Sequence, residues 1–277
     1  DPTGEYLRGW GSSGSGQGDM NGPTDLAISN EGHVYILDSN NQRVEVFDTQ
    51  GVFKSTWGGR GNSPGQFYNP VSITINTSGE ILVSEITNRR IQIFNADGQV
   101  ISQWLGGDHQ FNDPSSITKD SEGNLYVADS GNNRIHAVGK SGQILHIWGI
   151  KGSANSQFNG LGTILTDGLG HIYAVDVFNH RIQIFDSGGN HITTWLGFKQ
   201  PTDIYIDSDD IVYVSELGDR VSILDIDGNV LSRWGDERSH KPGKFWGAHG
   251  IWVCAKGDIY VSEVLDGQRV QKFVRNR

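Results

Sequence analysis

Apolar and polar positions alternate in short runs along the chain, and no stretch keeps a helical period. The segment His33–Trp57, HVYILDSNNQRVEVFDTQGVFKSTW, shows the unit. Asp25 to Ile28 reads as a first strand after Pro23, and Ser29-Asn30-Glu31-Gly32 as a turn. His33 to Leu37 alternates as a second strand and ends in Asp38. A polar loop, Ser39 to Gln42, leads to a third strand from Arg43 to Phe47. Val44 and Val46 lie on one of its faces and Glu45 on the other. Asp48-Thr49-Gln50-Gly51 supplies a second turn, with Gly where φ is positive. Phe53 to Trp57 is the fourth strand. Four strands joined this way predict one antiparallel meander.

The unit recurs every ~40–47 residues, a repeat architecture. Each copy ends its second strand in an acid and opens its third with an arginine: Asp38/Arg43, Glu85/Arg90, Asp129/Arg134, Asp176/Arg181, Glu216/Arg220 and Glu263/Arg269. A tryptophan closes the fourth strand at Trp57, Trp104, Trp148, Trp195 and Trp234. A sixth, Trp10, ends Glu5-Tyr6-Leu7-Arg8-Gly9-Trp10, whereas the last repeat stops after its third strand, Arg269 to Val274. The predicted fold is an all-β, six-bladed β-propeller of four-stranded antiparallel blades, a single domain over residues 1–277. The N-terminal strand Glu5–Trp10 completes the last blade and closes the ring, which leaves no open edge.

The passage Asn124-Leu-Tyr-Val-Ala-Asp-Ser-Gly-Asn-Asn-Arg-Ile135 lies close to the NHL-repeat consensus, and the chain resembles the NHL-repeat family of six-bladed β-propellers over nearly its whole length. One fold of this kind hosts many functions.

Composition narrows these. With 22 basic and 32 acidic side chains the formal net charge is −10, a poor match to phosphate backbones, so nucleic acid is not the expected partner. Gly-rich clusters, within 38 glycines and 7 prolines, mark tight turns rather than disorder. The single cysteine, Cys254, lies in an apolar run and excludes an internal disulfide. No apolar run approaches the ~18 residues of a membrane-spanning helix. The chain starts at Asp1 without Met, as after processing, which favours a secreted or periplasmic protein. A monomer is expected.

In a four-stranded meander the loops after second strands share a face with the loops leading into first strands. The acids, the arginines and the long loops Gly58 to Asn69 and Gly149 to Asn159 therefore belong to one face. The opposite face has tight turns such as Ala96-Asp97-Gly98 and Ile226-Asp227-Gly228. Function concentrates on loops held by a rigid scaffold. Six equivalent acid–arginine pairs cannot all be catalytic, so they are read as a structural ring in which the guanidinium fork binds carboxylate and loop carbonyls.

His249 breaks the repeat. The positions that begin the innermost strands are Thr24, Val71, Ser115, Gly162, Thr202 and His249. Trp246 and Trp252 flank it three residues away on either side. At the position of Trp252 the other repeats carry Ala27, Thr74, Thr118, Leu165 and Tyr205. A pocket lined by Tyr205, Trp246, Trp252, Phe178 and His249 is expected at the channel mouth, with Asp203, Glu216 and Glu263 nearby.

The layout also has a distant similarity to peptidyl-hydroxyglycine amidating lyases. That resemblance implies a zinc held by three start-of-strand histidines, each after a proline, and a catalytic Tyr two residues after a blade acid. Only His249 falls on the histidine pattern, after Ala248, and Phe178 stands where the Tyr would be; zinc needs three or four ligands. Asp25 and Asp203 match the position of a calcium-binding acid in those lyases. A Ca or Zn ion in the central channel, with His249, Asp25 and Asp203 as ligands, is the cofactor expectation. The functional expectation is a propeller that binds a peptide, glycan or small molecule around His249. The alternative is a lyase or hydrolase using His249 with Glu263 or Glu216 as catalytic groups.

Overall fold

The computed structural model describes residues 10–140, 142–253, 257–264 and 269–273. Of the expected closing strand only Trp10 is among them, and Cys254 lies outside them. The described residues divide into two compact units between Trp148 and Gly149. No helix among them is long and apolar enough to cross a membrane.

The first unit holds three four-stranded antiparallel sheets in sequence order. Their strands are Pro23–Ile28, His33–Asp38, Arg43–Asp48 and Phe53–Gly58; Pro70–Ile75, Ile81–Glu85, Arg90–Phe94 and Val100–Trp104; and Pro114–Lys119, Leu125–Asp129, Arg134–Val138 and Ile144–Trp148. The second unit holds two more of the same kind: Leu161–Thr166, Ile172–Asp176, Arg181–Phe185 and His191–Leu196, then Pro201–Ile206, Val212–Glu216, Arg220–Leu224 and Val230–Gly235. Its last sheet has three strands among the described residues, Ala248–Val253, Ile259–Glu263 and Arg269–Phe273.

Second and third strands of the first five sheets are largely buried. Within each unit, apolar clusters fill the space between consecutive sheets. Val44 and Val46 of the first sheet pack with Ile73 and Val83 of the second. Val175 and Ile184 of the fourth pack with Ile204 and Val214 of the fifth. The fourth-strand tryptophans fasten the same neighbours at their rims. Gly98, at φ 78°, lies so close under Trp57 that a Cβ there would fall 2.3 Å from the indole. Trp195 lies equally close to Gly228. Trp10 makes the same contact with Gly51 of the first sheet and packs on Phe47 at 6.2 Å.

Each acid–arginine pair closes within its own sheet. Arginine Nε lies 2.9 Å from Asp38, 2.6 Å from Glu85, 2.8 Å from Asp129, 2.7 Å from Asp176, 2.9 Å from Glu216 and 2.6 Å from Glu263. Every acid also accepts a backbone N–H from 17 residues upstream, in the loop before its sheet: Asn21, Tyr68, Asn112, Asn159, Lys199 and Trp246. The guanidinium then donates to carbonyls of that loop, for example Asn62, Ser63 and Gln66 for Arg90, and Ala154 and Gln157 for Arg181. Loop and sheet thus share one buried ion pair.

Removing one partner of a buried pair leaves an uncompensated charge, at a cost of about 3–5 kcal/mol. Arg90→Met is expected to lower the thermal midpoint by roughly 6 °C or more, read by calorimetry, because Glu85 stays sealed without its cation.

Candidate functional site

Every first strand is bulged where it begins, with one extra residue opposite the second strand. In the last sheet the bulge falls between Ala248 and Ile251, so His249 sits on it. Its backbone is held by neighbouring side chains. The His249 carbonyl accepts hydrogen bonds from the Thr202 hydroxyl at 2.9 Å and from the Ser215 hydroxyl. The Gly250 N–H donates to Ser262 Oγ at 3.0 Å, and the Ile251 N–H to Asp203 Oδ2 at 3.0 Å. A Cβ at 250 would fall 2.7 Å from Ser262 Oγ and would displace the hydroxyl that receives the Gly250 N–H. The imidazole itself is exposed and makes no hydrogen bond among the described residues. Crowding by protein atoms pushes its pKa below the ordinary imidazole value, so it is neutral at pH 7.

Asp203 is part of this mount. It accepts N–H groups from Ile204 and Ile251 and a hydrogen bond from Thr163, so it links three consecutive sheets. Burial outweighs these bonds and raises its pKa to about 6. Asp25 does the same in the first unit, taking N–H groups from Leu26 and from Ile73 of the next sheet. Both carboxylates accept N–H groups from their own and the adjoining sheet. Among the described residues no group of three His, Cys, Asp or Glu side chains is placed to hold a metal ion.

The aromatic residues expected together fall into separate groups. Tyr205 meets Trp252 at 6.1 Å, and Trp252 meets Tyr260 at 6.0 Å, with Trp252 53% exposed. Trp246 is stacked by His240 at 5.0 Å, and the Arg238 guanidinium lies 5.8 Å from its centre. Phe178, 57% exposed, lies across Gly160 in its own sheet. Glu216 and Glu263, the two carboxylates considered as catalytic partners, are buried in clasps. Glu216 takes two bonds from Arg220 and one from Ser222; Glu263 takes bonds from Arg269, Gln271 and the Trp246 N–H. Such saturation leaves neither available as a free base.

Asp219 is a residue the repeat pattern did not single out. Its φ is +65°, and its oxygens accept the Gly247 N–H at 2.8 Å and Arg238 Nε at 2.9 Å. It therefore anchors both ends of the loop that carries Trp246 and leads into His249. The available signal was spacing: four residues separate Glu216 from Arg220, against five in the first four repeats.

Residues 17–130 match a family model described as 6-bladed beta-propeller. A streptogramin B lyase structure superposes on 98% of this chain and 88% of its own, with a TM-score of 0.73 at 15% identity. The chain has the six-bladed β-propeller fold. A virginiamycin B lyase from Staphylococcus aureus, in a catalytically inactive histidine-to-alanine form with quinupristin, covers 91% of this chain and 84% of its own, with a TM-score of 0.72 at 16% identity. Hydrazine synthase from Kuenenia stuttgartiensis covers 91% and 83%, with a TM-score of 0.69 at 14% identity. No curated protein matches the chain. At these identities the likeness is one of propeller fold, shared by proteins with different chemistries.

The propeller mount and the imidazole separate in a stability measurement. His249→Ala is expected to leave the thermal midpoint within about 2 °C of wild type. Asp203→Ala strips acceptors from the Ile251 N–H and from Thr163 and is expected to lower it by roughly 4 °C or more. A larger loss for His249→Ala than for Asp203→Ala would show that the ring carries the fold.

Proposed function

We propose that this propeller binds a peptide, glycan or small molecule on the face of the second unit that carries its long loops, with His249 as the principal contact. The observation that supports this reading is the division of labour at His249. Four side chains fix the backbone of His249, Gly250 and Ile251, while the His249 ring has no hydrogen bond among the described residues. A neutral imidazole offers one donor and one acceptor to a ligand, and the fixed backbone beneath it reduces the ordering cost of binding. The Asp219-anchored loop, with Trp246 between His240 and Arg238, supplies an amphipathic neighbour. The acidic charge of the chain disfavours nucleic acid as the partner.

A lyase is the second reading, favoured by the kinship of fold with streptogramin B and virginiamycin B lyases and by the loss of catalysis in a histidine variant of the latter. Here His249 would take the proton as general base, because a neutral imidazole is already in the accepting state at pH 7. Glu216 and Glu263 would act only through the fold.

Both readings are tested with a panel of blocked tripeptides, oligosaccharides and quinupristin, followed by calorimetry and mass spectrometry. A bound member is expected to lose at least ~10-fold in affinity, about 1.4 kcal/mol, in His249→Ala at unchanged thermal midpoint. Affinity indifferent to that substitution would overturn the assignment. Cleavage without added water, abolished in His249→Ala, would establish the lyase reading over simple binding.

A further inference from the structure

The six clasps share a third member, and the first sheet departs from the rest. In the second, fourth and last sheets the place is taken by Gln92, Gln183 and Gln271. Each amide nitrogen donates both to the clasp acid and to a loop carbonyl: Gln92 to Glu85 and the Gln66 carbonyl, Gln183 to Asp176 and the Gln157 carbonyl, Gln271 to Glu263 and the Lys244 carbonyl. Each amide oxygen accepts a loop N–H, from Gly65, Ser156 and Gly243. His136 and Ser222 contact the acid in the third and fifth sheets. In the first sheet the residue is Glu45, with 0% exposure.

A carboxylate there has the wrong complement. Arg43 is the cation beside it, with Nη2 at 2.8 Å, but Arg43 already pairs with Asp38 at 2.9 Å. From the second strand it faces Asp38, and from its own strand Arg43. The fourth strand brings the neutral Thr56 near it and the loop the Gly18 N–H, but the Thr56 hydroxyl donates to the Val44 carbonyl and neither Glu45 oxygen has a hydrogen-bond partner among the described residues. Two carboxylates and one guanidinium leave a surplus negative charge shut away from water, which costs far more than a neutral hydrogen-bonding group.

We propose that Glu45 is protonated in the folded protein, takes the place that glutamine holds in three other sheets, and makes the loop before the first sheet a pH-sensitive latch. Protonation removes the surplus charge from a carboxyl whose two buried oxygens have no hydrogen-bond partner among the described residues. Deprotonation sets Glu45 in competition with the Gly16 and Asp19 carbonyls for Arg43 Nη2, which donates to them at 2.7 and 2.8 Å. Those bonds tie residues 13–20 to the sheet. Burial and the nearby Asp38 raise the Glu45 pKa against the pull of Arg43. The sign follows: a pKa higher in the folded than in the unfolded chain gives stability that is present below the unfolded value and lost as pH rises through the folded one.

Glu45→Gln tests this without a ligand. The variant is expected to melt roughly 3 °C or more above wild type at pH 8, with the gap shrinking towards acid pH. In wild type, the amide protection of Gly14 and Met20, which bond to the Met20 and Ser12 carbonyls, should fall between neutral and alkaline pH after correction for intrinsic exchange. In Glu45→Gln it should not. Difference infrared spectra at pH 7 should contain the carbonyl stretch of one protonated carboxylic acid that the variant lacks. A variant that is less stable at every pH, fails to fold, or keeps the wild-type pH slope would overturn the proposal.

Discussion

A carboxylate sealed inside a protein has to be surrounded by donors, and this chain solves that problem once per repeat. The acid at the end of each second strand receives an arginine from the next strand and an N–H from the incoming loop. The arginine has donors left over and spends them on the carbonyls of the same loop. Breaking any one contact exposes the others to an unpaired buried charge, so sheet and loop hold together as a unit. The long loops are therefore fixed carriers of side chains despite their irregular backbone.

The repeats differ where this common device is altered. The first sheet places Glu45 where three others use glutamine, and so brings a second carboxylate to one arginine. The fifth sheet shortens its turn, and Asp219 reaches instead to the loop of the last sheet. The last sheet carries His249 on a bulge whose neighbours Thr202, Ser215, Ser262 and Asp203 all bond to backbone. Equivalent framework residues hold the sheets; the departures set the electrostatics and the chemistry of the loops.

Strands, turns and the acid–arginine pairs were legible in the sequence because they repeat with fixed local spacing, and local spacing determines which residues oppose each other across a hairpin. The tryptophans were legible for the same reason, and Trp10 lies on Gly51 as Trp57 lies on Gly98. Contacts between sheets were not. The bonds from Thr202 and Ser215 to the His249 carbonyl join residues 47 and 34 positions apart, and small hydroxyl residues carry no signature of such a task. Trp246 and Trp252, equally spaced about His249, join different partners, because Trp246 lies in the loop before the strand Ala248–Val253 that carries Trp252. The N–H groups that Asp25 and Asp203 take from the adjoining sheet are contacts of the same long-range kind.

Native-state hydrogen exchange tests the shared clasp most directly. The amides of Asn21, Tyr68, Asn112, Asn159, Lys199 and Trp246 lie in loops but donate to buried acids. The account predicts that they exchange as slowly as amides of the second and third strands, through global or whole-sheet opening. Exchange at the rate of neighbouring loop amides would contradict it.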